Sequence, residues 1–204
     1  MIGIRVAEVR GLRRGVRELP VPELDVEGPG IILVRGPNGA GKSTFVELLA
    51  GGVRPREGDV RMCGLPAAST AARVMRRVSR ADIALLPRLT IRRHATLFAR
   101  AAAVDLRTAL DALADEGLAH LIDACTAELS TGEARRAWVR LTTLGAAPVL
   151  LLDEPFLGMD VDAETALRER LEAWAQERLV VLVDHGERRL GAVVQELHLG
   201  AAVA

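Results

Sequence analysis

An α/β fold, with a mostly parallel sheet and an inserted helical segment, is predicted by three observations. First, the apolar runs at residues 31–34, 149–152 and 179–183 contain no polar residue, as expected of strands buried on both faces. Second, helical patterns separate these runs, so neighbouring strands are joined by crossovers rather than hairpins. Third, a glycine-rich turn from Gly36 to Gly41 lies between the first run and a helix. The chain is 204 residues long and half hydrophobic, enough for one domain with a core of ordinary size.

Each element follows in order. Residues 1–9 alternate as a strand, and 10–22 are turn-rich with room for a second strand. Gly28, Pro29 and Gly30 make a turn before the strand at 31–34. Residues 43–50 read as a helix closed by Gly51 and Gly52. Residues 58–63 and 83–86 read as strands separated by a helix around 71–80. From 90 to about 127 the pattern is helical and alanine-rich, with an arginine-studded surface. A helix over 130–144 precedes the strand at 149–152, which ends in Asp153, Glu154 and Pro155. Residues 162–176 are helical, 179–183 a strand ending at Asp184 and His185, and 193–199 a last strand. The whole chain, 1–204, is thus one domain: a core of about 1–86 and 130–204 interrupted by a helical insertion of about 87–129.

Composition excludes several classes. The net charge is +0, so the balance implies no basic face, and no nucleic-acid partner is expected. Cys63 and Cys125 lack CxxC spacing and read as buried small residues in a reducing compartment. No apolar run approaches the roughly 20 residues that span a bilayer. Arg5, Glu8 and Arg10 interrupt the first apolar stretch, which removes any signal-peptide pattern. A cytosolic protein is expected, brought to a membrane only by another chain.

Among 27 Lys and Arg residues the only lysine is Lys42. It stands in Gly36, Pro37, Asn38, Gly39, Ala40, Gly41, Lys42, Ser43, Thr44, which fits the phosphate-loop pattern G-x-x-x-x-G-K-[ST]. A compact ammonium fits between phosphates inside a tight loop, whereas a planar guanidinium wants a flat, forked partner. The strand–loop–helix context is the one the motif needs. Backbone N–H groups of the loop and the positive end of the helix would face the phosphates. Ser43 would put its hydroxyl on Mg²⁺ and Thr44 would bond a phosphate oxygen. Asp153 and Glu154 follow an apolar strand, at the tip where ligands sit in open α/β sheets. Asp153 would hold Mg²⁺, and Glu154 would polarise the water that attacks the γ-phosphate.

Taken alone, Ser130 with Glu133 three residues later reads as a capping box. The setting adds to this. Placed between the Lys42 loop and the Asp153–Glu154 pair, Leu129, Ser130, Thr131, Gly132 and Glu133 resemble the signature of the ABC-type ATPases, usually written LSGGQ. Gly158, Met159 and Asp160 resemble that family's loop after the catalytic acid, and His185 resembles its switch histidine. These elements cover residues 36–185. The resemblance implies that ATP, with Mg²⁺, is the ligand of a phosphate-loop NTPase core. It implies that Ser130 and Gly132 contact the γ-phosphate held by the other subunit of a dimer. Asp160 would lie on the dimer interface, and His185 would bond the γ-phosphate and hold water and Glu154 in place. Lys42, Glu154 and His185 are then the catalytic residues. His94, His120 and His198 have no such setting and are expected at the surface or in packing.

Three departures from the family pattern stand out. The glutamine usual between the phosphate loop and the signature is absent, since Gln176 and Gln195 both lie beyond Glu154; Arg88 is at or near the position and cannot ligate a cation. The usual adenine-stacking aromatic is absent too, the first aromatic being Phe45. Unless Arg10 or Arg13 stacks in its place, the preference for ATP over GTP should be modest. Thr131 and Glu133 replace glycine and glutamine in the signature, adding bulk and charge where a partner's nucleotide should approach. Slow basal hydrolysis that depends on a partner is expected.

The resemblance implies the ATPase subunit of an ABC transporter, a homo- or heterodimer peripheral on the inner face of the cell membrane through separate permease subunits. The compact length resembles the family's exporter subunits, including the haem-exporter type. A soluble ABC-type ATPase serving as an assembly or scaffold factor is the alternative. A small-molecule kinase sharing the phosphate loop is disfavoured by residues 129–133 and His185.

Overall fold

The computed structural model describes residues 1–14, 17–186 and 190–200; residues 15 and 16 of the turn-rich stretch lie outside these. The chain runs through β1 (Gly3–Arg10), β2 (Arg13–Arg14), β3 (Arg17–Glu18), β4 (Leu24–Glu27), β5 (Gly30–Arg35), α1 (Lys42–Leu49), β6 (Glu57–Met62), β7 (Leu65–Pro66), α2 (Thr70–Arg73) and β8 (Arg76–Ser79). It continues through α3 (Ile91–Ala102), α4 (Leu106–Ala114), α5 (Thr131–Thr142), β9 (Val149–Asp153), α6 (Val161–Trp174), β10 (Leu179–Val183) and β11 (Val193–His198). Two compact units result. One comprises Met1–Val78, Ala147–Glu154 and the chain from Arg170; the other comprises Ser79–Ala146 and Pro155–Glu169.

The first unit holds two sheets. In β1 the alternation puts Ile4 and Val6 inward and Arg5 outward, and the strand pairs antiparallel with β4 and β6. The second sheet has the order β11-β5-β10-β9-β8, with β11, β5, β10 and β9 parallel to one another. β9 and β10 are buried along their full length, as their unbroken apolar runs require. Register matters most here. Val183 pairs with Val34 on one side and with Asp153 on the other, so the C-terminal tips of β5, β10 and β9 stand level. The core includes Ile32, Val34, Phe45, Leu49, Leu151 and Val181, each at most 1% exposed. Burying each such side chain stabilises by roughly 1.5–3 kcal/mol.

Arg76 fastens the rear of α1. It is buried and donates to the carbonyls of Ala67 and Ala72 at 3.0 and 2.9 Å, and also to Ala50, the residue that caps α1. Burial pushes its pKa below the ordinary value, with Arg73 adding to the effect. A guanidinium has enough donors to serve several carbonyls at once, as an ammonium on a flexible stem does less well.

The second unit is helical. α3, α4 and α5 close around Ile91, Ala95, Ala99, Ala109, Leu113, Leu118, Ala137 and Leu141. Small alanines at the contacts let helices approach closely. Thr90, Asp105 and Ser130 cap the three N-termini with side-chain oxygens. Phe98 and Trp138 meet edge to face at 5.9 Å, and the Trp138 indole donates to the Arg80 carbonyl.

Several expectations are corrected. The helix expected around 71–80 shrinks to α2, because the chain turns at Val74 and Met75 and extends into β8. Its Arg76 and Arg77 made that strand look like a helix surface. Residues 83–86 form no strand; the Leu86 N–H instead donates to His94 Nε2 at 2.9 Å. Cys63 and Cys125 are free thiols, partly exposed rather than buried. β4 and β7, too short to show periodicity, went unread. His94 is a packing residue, whereas His120 and His198 are exposed.

Candidate active site

The loop from Gly36 to Gly41 leaves β5 and enters α1 through Gly41, whose backbone is left-handed at φ 96°. That backbone strains any residue with a β-carbon, which would also press on the Leu19 side chain at 2.8 Å, so the position favours glycine. Lys42 opens the helix, 5% exposed, with its ammonium donating to the carbonyls of Gly36 and Pro37 at 2.9 and 3.0 Å. The loop therefore fixes the cation within its own curve. Burial lowers the Lys42 pKa, while Glu154 and Asp153 pull it back up. Within the loop Pro37, Asn38 and Gly39 are exposed and Ala40 is buried, while Ser43, one residue into α1, is exposed.

Asp153 ends β9 and is 3% exposed. Burial raises its pKa, opposed first by a hydrogen bond from Ser43 and reinforced by the charge of Glu154. Its Oδ1 is buried without a hydrogen-bond partner. An orphaned carboxylate oxygen beside a serine hydroxyl is a hard oxygen donor set, suited to a small divalent cation that takes most of its other ligands from water and phosphate. Among the described residues no group of three or more His, Cys, Asp or Glu is arranged to hold a metal by itself.

Glu154 has a left-handed backbone at φ 49°, uncommon for a residue with a β-carbon. Its N–H donates to the Val183 carbonyl at 3.1 Å, which ties the turn to the tip of β10. Its Oε1 lies 2.9 Å from His185 Nε2. Strain of this kind, held by surrounding bonds, collects at functional sites. Asp153, Glu154 and His185 thus gather at the level tips of β9 and β10, and Lys42 stands at the start of α1, after the loop that leaves β5. Not foreseen was Arg35, the last residue of β5, which donates to the Gly186 carbonyl at 2.6 Å. No motif marks it; its position immediately before the glycine loop was the available signal.

In the helical unit Ser130 N-caps α5, and the capping box is complete. The Ser130 N–H and hydroxyl both donate to Glu133 Oε2 at 2.8 Å, and the Glu133 N–H donates to Ser130 Oγ at 3.3 Å. These bonds hold the Glu133 carboxyl below its usual range. A β-carbon on Gly132 would stand 3.1 Å from the Gly158 carbonyl oxygen, so the start of α5 lies close against the loop that leads to Asp160. Asp160 Oδ1 accepts from the Ala163 N–H at 2.8 Å, holding the start of α6. Arg88 sits in an exposed turn whose backbone is fastened by Ala127 and Thr126 N–H groups donating to Pro87 and Leu89 carbonyls. Arg10 and Arg13 are exposed.

Comparison with known proteins places this arrangement. Residues 22–157 match the family model described as ABC transporter. Over 198 residues the chain is 35% identical to the cytochrome c biogenesis ATP-binding export protein CcmA of Sphingopyxis alaskensis, covering 97% of this chain and 89% of that one. It is 34% identical over 157 residues to the Nod factor export ATP-binding protein I of Burkholderia thailandensis, covering 74% of this chain and about half, 52%, of that one. In fold it is similar to the solved dimer of an ATP-binding cassette in a post-hydrolysis state with ADP and Pi, with a TM-score of 0.80, 19% identity, and coverage of 90% of this chain and 88% of that one. With the family model matching more than half of its residues, the chain belongs to the ABC transporter family, as an ATP-binding ATPase subunit.

Proposed function

We propose that this chain hydrolyses ATP between two ATPase subunits and thereby drives separate membrane-embedded permease subunits. The observation that carries the proposal is the Glu154–His185 contact of 2.9 Å at strand tips level with the root of the glycine loop. Gly36 to Gly41 and Thr44 cradle the phosphates through backbone and hydroxyl donors, and the Lys42 ammonium leaves its loop carbonyls for phosphate oxygens. Ser43 and Asp153 would hold Mg²⁺, which when bound would neutralise charge on the phosphate oxygens. The Glu154 carboxylate takes a proton from the attacking water, and His185 keeps that carboxylate turned toward the γ-phosphate.

A second copy supplies the other wall. Ser130 and Gly132, at the start of α5, point the positive end of that helix at the phosphate held by the first copy, and Asp160 sits beside the opposing loop. Among the described residues no helix is long and apolar enough to cross a membrane. The helical unit presents Leu86 and Leu97, each more than half exposed, as apolar contacts for it.

The Glu154→Gln protein tests this reading. It should bind ATP and shift from monomer to dimer on a sizing column with light scattering, while single-turnover hydrolysis falls by about 10²–10⁴-fold. A variant that hydrolyses at the parental rate, or stays monomeric with ATP bound at high protein concentration, would contradict it.

A further inference from the structure

We infer that Arg35 is a positioning residue for hydrolysis, setting the His185 segment from the neighbouring strand. The inference rests on the proposed role of His185. Arg35 is the final residue of β5, and β5 lies between β10 and β11. Its side chain therefore has a neighbour on each side. Toward β10, Nη1 donates to the Gly186 carbonyl at 2.6 Å, one residue after His185. Toward β11, Nε lies 2.8 Å from Glu196 Oε1, and His198 Nε2 lies 3.2 Å from the same oxygen. Register explains the meeting. Arg35 pairs with His198 and Leu33 with Glu196, so with the period of two Arg35, Glu196 and His198 share one face of the sheet. The Arg35 side chain is only 23% exposed, which limits screening by water and preserves a charge-assisted bond.

The far side of the histidine is held as well. The Asp184 N–H donates to the Val34 carbonyl at 3.4 Å, the rung immediately before Arg35. His185 is thus bracketed by two bonds to adjacent residues of β5, the strand that opens the glycine loop. Farther along, Glu172 of α6 accepts from the Gly191 and Ala192 N–H groups at 2.5 and 3.1 Å, just before β11. Arg35 joins the residue after His185 to the root of the phosphate loop. Losing it frees the Gly186 carbonyl and lets the imidazole drift from Glu154, with little effect on the loop's own donors. A fixed separation between phosphate cradle and switch histidine is what the bracket supplies, and misplacement on the order of 1 Å is costly in a positioned site.

The test compares Arg35→Met, Arg35→Lys, Glu196→Gln, His185→Ala and the double variant Arg35→Met/His185→Ala in the purified full chain. Single-turnover ATP hydrolysis, ATP affinity and thermal melting are measured for each. Arg35→Met should slow hydrolysis by about tenfold while ATP affinity stays within about twofold. Arg35→Lys should restore part of the rate, and Glu196→Gln should lose a smaller part. The double variant should be no slower than His185→Ala alone, because one residue acts through the other. Parental hydrolysis by Arg35→Met beside a deficient His185→Ala would overturn the inference and leave the site reading intact. Losses that multiply in the double variant, or a fall in ATP affinity matching the fall in rate, would also overturn it. Parental hydrolysis by His185→Ala would overturn the site reading itself.

Discussion

The strand tips of the first unit and the α5 terminus of the helical unit treat their polar groups in opposite ways. At the tips, burial leaves Asp153 Oδ1 without a partner, raises the Asp153 pKa, lowers that of Lys42 and holds Glu154 in a left-handed backbone. These groups are costly without a ligand and gain by meeting one. At the start of α5 the Ser130 N–H and hydroxyl are both committed to Glu133. In the proposed dimer a phosphate arriving there would meet a carboxylate of its own sign. The first region leaves polar groups to be met by a ligand, whereas the second satisfies its own, and slow basal hydrolysis is the outcome to expect if the proposed dimer forms.

The contrast can be broken most sharply at Lys42. Lys42→Met should weaken ATP binding by about tenfold to a hundredfold, read by titration calorimetry, since a charged donor to phosphate is worth that much. Lys42→Arg should not recover it, because the planar fork does not match the two loop carbonyls the ammonium now meets. Full recovery by arginine would mean that the loop tolerates any cation.

At α5 the smaller change goes the other way. Glu133→Gln keeps a capping-box acceptor while removing the charge, so hydrolysis at saturating ATP should rise by about threefold. Phosphate release at several protein concentrations reads it, and an unchanged rate would deny that Glu133 competes with phosphate. The Glu133 carboxyl is held low by Ser130, so its ionised cap is present above the ordinary carboxylate range and is lost as pH falls through its lowered value. The smallest effect is on stability. Asp153 is pushed upward, chiefly by burial, so its ionised form costs stability once the pH rises through its folded value. Asp153→Asn should therefore melt a few degrees higher than the parent at neutral pH, with the gap closing in acid, even as hydrolysis is lost. A lower melting point at neutral pH would mean that Lys42 and Ser43 outweigh the desolvation.

Much of this was legible in the chain. β5, β9 and β10 announce themselves because strands buried on both faces need apolar residues at every position, and glycine or acidic residues then mark where they stop. Lys42, Asp153, Glu154 and His185 were legible for the same reason, each following such a run or its loop. β8 was not, because its paired arginines look like a helix surface and Arg76 is buried only by reaching backbone carbonyls far along the chain. Neither the left-handed turn at Glu154 nor the bond from Arg35 to Gly186 leaves a local trace, since each depends on which strands stand side by side.

The seclusion of Lys42 has a practical side. Because arginine serves everywhere else, the molecule carries a single side-chain amine, and that amine is nearly covered. Acylating reagents should thus modify one lysine at most, sluggishly, and bound nucleotide should shield it further. Protection of Lys42 from labelling becomes a direct gauge of occupancy, read by mass on its own peptide so that the exposed Met1 amine does not count.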